Sequence, residues 1–303
     1  MIVNLRSRLE TLEFHMEDLY ELLGETRQNH HQKLRRAERK RIHETALVKT
    51  VNAYRLDHPR MGSRPLYHLM VSRGEQIQMG LSQFEKFMSL SGLIVPSLKT
   101  KKPKTSDGKG KESYENLTNG LVLNGPNQLI VADITYYDIP ECRSYLFALK
   151  DVYSQKILGL IPSKNMNSEN AEQCLIQMST QRGAEIFPGC IHHSDNGSQY
   201  NAKTYKEILS EMEIRISRAE NCVQNGSIEQ MNHIVKNMYL EPWCIQTFKQ
   251  LKKACQRFVK LNNEQRVIKQ LGNSCPDDFE KMILKLPEEQ RPEKKLYDFN
   301  NWT

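Results

Sequence analysis

Three acidic residues, Asp133, Asp195 and Glu229, stand where carboxylates could act together in catalysis. Asp133 lies inside the apolar run LIVADITYYDI at 129–139. Asp195 comes just after the short predicted strand at 190–193, and Glu229 lies near the start of a helical pattern. A charge inside a buried strand costs free energy unless it is paired or bound to a metal. Neighbouring carboxylates repel one another, and hard divalent cations relieve that repulsion. The pattern predicts a divalent metal site for phosphoryl chemistry, in which two ions could activate a nucleophile and stabilise a leaving 3′-oxygen.

Each of these acids also has an ordinary structural interpretation. Any of them could cap a helix, form a salt bridge or lie in a solvated loop. Asp138 and Asp151 are rival carboxylates, because they too lie near the ends of predicted strands. The spacing alone leaves both interpretations open.

The elements that would position these acids follow one another after residue 118. Apolar runs and helical periodicity predict strands at 129–139, 144–153, 156–162, 190–193 and 213–217, and helices at 168–182, 202–212 and 227–239. Gly183 is well placed to end the first of these helices. Short connections predict that the first three strands form an antiparallel meander. The order βββαβαβα predicts an α/β fold, a ribonuclease H-like mixed sheet flanked by helices, over residues 118–243. A helical tail follows at 244–303.

The N-terminal segment carries apolar residues at steps of four and three, the spacing of a short coiled coil over residues 1–27. These positions are Leu5, Leu9, Leu12, Met16, Leu19 and Leu23. The pattern favours a homo-oligomer formed through residues 5–23. An amphipathic helix packed on its own chain is the alternative.

Positive charge is concentrated between this repeat and the predicted sheet. The chain carries a net charge of +7, and residues 30–111 contain 18 Lys and Arg against 6 Asp and Glu. Helical patterns at 30–95, with Ser82 as an expected N-cap, are compatible with a helix-turn-helix-like DNA-binding region. Residues 96–117 are typical of a basic flexible linker. The predicted DNA contacts are Arg35, Arg36, Arg39, Lys40, Lys101 and Lys102. A solvated basic segment without a partner is the alternative.

The seven cysteines include no C-x-x-C pair, and no apolar run approaches the length of a membrane span. We therefore expect free thiols and no membrane partner. We expect a location inside the cell, cytoplasmic and associated with the bacterial nucleoid.

Several words of the sequence together resemble the transposases of the IS-three family of bacterial insertion sequences, whose catalytic core is similar to retroviral integrase. The matching words are Pro126-Asn127, Asp133-Ile134-Thr135-Tyr136, the run HSDNGSQY at 193–200, and Asn221-Cys222 with Asn225 and Glu229. Residues that resemble the family's C-terminal word follow between Phe258 and Phe279. The resemblance covers about residues 45–280.

The resemblance implies an α/β, integrase-like enzyme that cuts DNA and joins the ends to new DNA during transposition. It implies that Asp133, Asp195 and Glu229 hold Mg²⁺ or Mn²⁺, with two ions expected. It also implies that Lys236, seven residues after Glu229, contacts DNA near the scissile phosphate. The partners would be the element ends, target DNA, further copies of the chain and a longer frameshift product of the same element.

Two rival functions remain open on the sequence. One is a metal-dependent nuclease of the same fold, which would cut DNA without joining it. The other is a non-catalytic DNA-binding regulator of its own element, which would use residues 30–95. Joining of two DNA molecules separates the first from a transposase, and insensitivity to Glu229→Gln identifies the second.

Overall fold

The computed structural model describes residues 16–97, 114–219 and 222–298, which divide between two compact units, Met1–Tyr54 and Arg55–Thr303. Most of the predicted leucine repeat, including Leu5, Leu9 and Leu12, lies outside the described residues. So do Lys101 and Lys102 of the basic linker. The division into five predicted segments, namely 1–27, 30–95, 96–117, 118–243 and 244–303, stays a prediction. No helix in the described ranges is both long enough and apolar enough to cross a membrane.

Two helices begin the described chain, α1 at Met16–Leu22 and α2 at Arg27–Asp57. Four of the basic residues predicted to contact DNA lie on α2 and are exposed, namely Arg35, Arg36, Arg39 and Lys40. Lys40 also forms an ion pair with Glu44 at 3.7 Å, one turn further on. Helix α2 ends directly before His58-Pro59, as expected, because proline disfavours helical backbone in the residue before it.

Two short helices follow in the second unit, α3 at Ser63–Ser72 and α4 at Leu81–Leu90. Their facing sides bury Leu66, Met70, Phe84 and Met88. The predicted N-cap at Ser82 is wrong. Helix α4 begins one residue earlier, with Gly80 in extended backbone as its N-cap and no side-chain cap. Ser82 therefore lies inside the first turn, where its hydroxyl is no longer in the capping position.

The rest of the second unit is built on a five-stranded mixed sheet. Its strands are β2 at Leu129–Tyr136, β3 at Tyr145–Asp151, β4 at Ile157–Ser163, β5 at Ile191–Ser194 and β6 at Arg215–Arg218. Their order across the sheet is β4-β3-β2-β5-β6. Strands β2, β3 and β4 form the predicted antiparallel meander, and β5 and β6 run parallel to β2. This confirms the predicted α/β class and the ribonuclease H-like mixed sheet. A separate antiparallel pair joins β1 at Val122–Leu123 to β7 at Lys294–Lys295.

Helices cover both faces of this sheet. The described helices of this region are α5 at Ser168–Arg182, α6 at Lys203–Glu211, α7 at Gly226–His233, α8 at Phe248–Glu264 and α9 at Pro276–Ile283. The limits of α5 agree with the prediction, and Gly183 follows it with φ 86°.

Side chains of β2 alternate between the two cores, as a pleated strand requires. Ile130 and Ala132 pack with α5 and α6, whereas Leu129 and Val131 pack with α7 and α8. The alternation places Asp133 on the α7 face.

The helix predicted at 227–239 changes its winding part-way. After α7 the chain continues as a π-helix at Ile234–Leu240, in which hydrogen bonds reach one residue further along the chain. At its end, for example, the Glu241 amide donates to the Lys236 carbonyl at 3.0 Å. The wider turns occur where the helix packs beside Asp133.

Candidate active site

Asp133 lies on the central strand of the sheet, with β3 on one side and β5 on the other. It is directly opposite Ala148 of β3. The Asn232 side-chain amide donates to Asp133 Oδ2 at 2.5 Å, and Lys236 Nζ donates to Thr135 Oγ1 at 2.7 Å. The half-buried Asp133 carboxylate thus has one neutral side-chain donor, Asn232, and one nearby cation, Lys236.

The electrostatic surroundings of Asp133 disfavour its charge. Burial and the neighbouring carboxylates of Asp195 and Glu229 together raise its pKa to about 7. A backbone hydrogen bond from Ile134 and the Lys236 charge oppose this shift only in part. The negative charges of Asp195 and Glu229 thus act on Asp133 although the three residues are far apart in the sequence. An additional positive charge at this point would stabilise all three carboxylates.

Asp195 is exposed at the carboxyl end of β5, in the loop that the run HSDNGSQY forms. Its Oδ1 accepts the Gly197 amide at 3.1 Å. A Cβ at residue 197 would lie 3.0 Å from Asp195 Oδ1, closer than side chains normally pack. Glycine at this position lets the backbone approach the carboxylate and fix its direction.

Arg218 stabilises the same loop through hydrogen bonds of its guanidinium group. The side chain is buried at the end of β6, whose register places it beside Ser194 of β5. It donates to Ser194 Oγ at 2.9 Å, to the Tyr200 carbonyl at 2.8 Å and to Asn201 Oδ1 at 3.2 Å. These bonds join both ends of the loop that carries Asp195.

Glu229 lies in the first turn of α7 and is exposed to solvent. Partial desolvation raises its pKa above the ordinary value. Asn225, just before the helix, donates from its side chain to the Ala132 carbonyl at 3.1 Å and so joins the start of α7 to β2. The beginning of this helix is therefore anchored next to Asp133.

The two rival carboxylates have other partners. Asp138 is exposed and pairs with Arg143 at 3.3 Å. Asp151 is fully buried, and its oxygens accept the Ser154 amide at 2.7 Å and the Asn127 amide at 2.6 Å. Asp138 forms a surface pair and Asp151 stabilises a turn, so neither is free to serve a reacting group.

The two adjacent histidines before Asp195 are both buried and uncharged. Burial lowers the pKa of His192 to about 3 and that of His193 to about 4. His192 Nε2 is hydrogen-bonded to the Tyr205 hydroxyl and His193 Nδ1 to Ser217 Oγ, both at 2.8 Å. Their partners mark them as core residues that support β5.

The carboxylate and amide oxygens at this site are suitable ligands for a hard divalent cation. Within the described ranges, no group of three His, Cys, Asp or Glu side chains is spaced closely enough to hold a metal ion. Asn232 Oδ1, however, is buried beside Asp133 and accepts no hydrogen bond from the described residues. Carboxylate and amide oxygens are the ligands that Mg²⁺ and Mn²⁺ prefer. The residues therefore fit such an ion by type and by charge.

Comparison with known proteins adds the family. The family model described as the integrase core domain matches residues 124–221, which include Asp133 and Asp195. The chain is 25% identical over 252 residues to the transposase for insertion sequence element IS904 of Lactococcus lactis, an alignment that covers 82% of this chain and 98% of that protein. The chain is thus similar to insertion-sequence transposases, and residues 124–221 match an integrase core.

Two further relatives cover less of the molecule. An uncharacterised 31 kDa protein of insertion element IS600 from Shigella sonnei is 32% identical over 157 residues, which span 51% of this chain and 57% of that protein. The integrase catalytic core of HTLV-2, solved in complex with magnesium, is 19% identical and superposes with a TM-score of 0.43 over 52% of this chain and 97% of that one.

Two side chains that contact the site could not be singled out by the motifs of the sequence. Asn232 lies three residues after Glu229, so its presence on the same face of the helix could have been inferred from helical periodicity. Arg218 carries no such local signal, because only the parallel register of β5 and β6 brings it to the loop. Lys236 lies between Thr135 and the Tyr136 ring, whose centroid is 5.8 Å from Nζ, and its contact with DNA stays a prediction.

Arg218→Met should destabilise the protein by about 1–3 kcal/mol, because it leaves the buried Tyr200 carbonyl without its donor. Since the loop that carries Asp195 loses its support, cleavage of DNA should also slow while DNA binding is kept. Urea unfolding and a cleavage time course measure the two effects. Arg215→Met, at an exposed position of the same strand, is the matched control. Equal behaviour of the two variants would show that the loop does not depend on Arg218.

Proposed function

We propose that this transposase cuts DNA at the ends of its insertion element and joins those ends to target DNA. The observation that carries the proposal is the Asp133 carboxylate, which lies on the central strand of an integrase core and is coupled electrostatically to Asp195 and Glu229. Three acids on a strand, a loop and a helix, of which two repel the charge of the third, have little structural use unless a cation offsets that repulsion.

In this proposal Asp133, Asp195 and Glu229 hold Mg²⁺ or Mn²⁺, and the three carboxylates accommodate two ions. Divalent ions bound there would polarise the phosphoryl oxygens and lower the pKa of an attacking water or 3′-hydroxyl. The protein's contribution is to keep these ligands in place. Asn232 orients Asp133 through its amide, and Gly197 and Arg218 fix the loop of Asp195.

Lys236 is proposed to contact the DNA phosphate next to the cleaved bond. Its ammonium group already lies against Thr135, two residues from Asp133 on the same face of β2. Burial lowers its pKa and the charge of Asp133 opposes that shift. A DNA phosphate beside Lys236 would therefore stabilise the charged amine.

The basic residues of α2 are also proposed to bind DNA. Arg35, Arg36 and Arg39 are exposed and have long side chains suited to phosphate contacts. Self-association through residues 5–23 would bring two copies of the chain and two element ends together.

The test is a reaction on a supercoiled plasmid that carries the DNA flanking the gene, with Mg²⁺ or with EDTA. We expect nicked products and joined products in Mg²⁺ and neither in EDTA. Nicks without joined products would favour a nuclease of the same fold. DNA binding without any nick would favour a regulator of the element.

A further inference from the structure

A cavity of about 330 Å³ opens beside the acidic site, on the same side of the sheet. Its walls come from α3, β3, α7 and the segment that follows α8. Four cationic residues line it, namely Arg64, Lys150, Arg266 and Lys269, together with the amides of Gln155, Gln230 and Asn262. No carboxylate is among the described residues that line it. The cavity is thus basic and polar, whereas the neighbouring site is acidic.

Lys150 is the most unusual residue of this cavity. It follows Leu146 and Ala148 on the apolar face of β3 and is 4% exposed. It lies opposite Val131, two residues from Asp133 on β2, which is about 7 Å along the strand. Its ammonium group donates to the Ser227 carbonyl at 3.0 Å and to Ser227 Oγ at 3.2 Å. Both acceptors are neutral, and one of the three ammonium donors remains for a ligand.

Arg266 adds a second cation that lacks a counter-charge. Its described hydrogen bond joins Nη1 to Asn262 Oδ1 at 3.4 Å, and no described carboxylate forms an ion pair with it or with Lys150. Burial and the charges of Lys294 and Arg266 together lower the pKa of Lys150 to about 7, against the opposing charge of Asp151. Arg64 contributes less to the cavity, because it pairs with Glu85 at 3.2 Å.

A buried lysine and a partly buried arginine that repel each other across one cavity cost free energy unless an anion lies between them. We propose that this cavity binds a phosphate group through Lys150 and Arg266, with Lys269 at its entrance. The neutral amides around it can donate hydrogen bonds to the remaining phosphate oxygens. The favoured source is the backbone of a DNA strand that continues from the acidic site, and this part of the inference rests on the proposed function. A free phosphate compound is the other source of the same chemistry.

The first experiment measures thermal unfolding of the full chain in EDTA at increasing inorganic phosphate and constant ionic strength. We expect wild type to gain roughly 3 °C for each tenfold rise of phosphate above its Kd. Lys150→Met should abolish this gain, and Lys203→Met should keep it. Lys203 is the matched control, since its side chain is 89% exposed on α6 and lies outside the cavity.

The second experiment measures anisotropy of a labelled DNA duplex over a salt series, again in EDTA. If the phosphate belongs to DNA, Lys150→Met should weaken binding about tenfold and reduce the salt slope by about one phosphate contact. If phosphate protection disappears but DNA binding is unchanged, the cavity holds a free phosphate compound. No protection of wild type, or equal protection of Lys150→Met, would overturn the proposal.

Lys269→Glu keeps the proposal testable if Lys150→Met fails to fold, because Lys269 is exposed at the cavity entrance. It should raise the phosphate midpoint about tenfold, whereas Lys203→Glu should not change it. Equal midpoints for these two variants would count against the cavity. Because both assays omit divalent metal, loss of DNA cleavage in the plasmid reaction with phosphate binding intact would contradict only the proposed chemistry.

Discussion

Glu229→Gln is expected to slow both strand cleavage and strand joining by about a thousandfold or more, which corresponds to ~4 kcal/mol at the transition state. Glutamine keeps the shape of the side chain and removes the charge that would hold the metal. Because Glu229 is exposed, the fold should not change. Gel analysis of cleaved and joined products over time gives the two rates, and anisotropy gives DNA affinity, which should stay within about twofold of wild type.

Asp195→Asn is expected to have the same effect as Glu229→Gln. Asp138→Asn is the matched control, since Asp138 is an exposed acid of the same sheet region that pairs with Arg143. It should retain wild-type rates. Activity in Glu229→Gln or Asp195→Asn similar to that of Asp138→Asn would refute the assignment of the three acids.

The second large effect concerns stability. In EDTA at pH 8, Asp133→Asn is expected to be more stable than wild type by about 2–4 kcal/mol. The Asp133 pKa is raised from 3.8 to about 7 by burial and by its acidic neighbours. Between these two values the folded chain binds more protons than the unfolded chain. The contribution of Asp133 to wild-type stability is therefore largest below pH 4 and decreases as the pH rises from 4 to 7.

Urea unfolding at several pH values tests the direction of this pH dependence. The difference between Asp133→Asn and wild type should vanish near pH 4 and reach its full size above pH 7. Adding Mg²⁺ at pH 8 should stabilise wild type and leave the variant unchanged, because the ion offsets the same repulsion. Equal stabilities at pH 8 in EDTA would mean that Asp133 is not strained by its neighbours.

Local patterns were enough to predict the strands and helices of the core. The apolar run around Asp133 is continuous because β2 is buried on both faces, and such runs are clear in a sequence. Helix α5 was predicted to its last residue, since Gly183 provides the left-handed backbone that ends it. The acids themselves were identified through motif resemblance, because spacing alone left Asp138 and Asp151 as equal candidates.

What the sequence could not provide depends on how distant segments meet. Arg218 reaches the Asp195 loop only through the parallel register of β5 and β6. Lys150 is one lysine among many in the sequence, and its burial becomes visible only when α3, α7 and the segment after α8 close over β3. Serine is a common N-cap, so the sequence favours Ser82 in that position, whereas Gly80, two residues earlier, takes it without a side-chain bond.

The π-helix at Ile234–Leu240 affects how this chain should be aligned with other transposases. Its hydrogen bonds span five residues, so it contains one residue more per bonded turn than an α-helix. A homologue with an uninterrupted α-helix there would match this chain only with a one-residue gap between Glu229 and Glu241. Deleting one residue from this stretch would rotate the following segment by about 100° relative to the sheet.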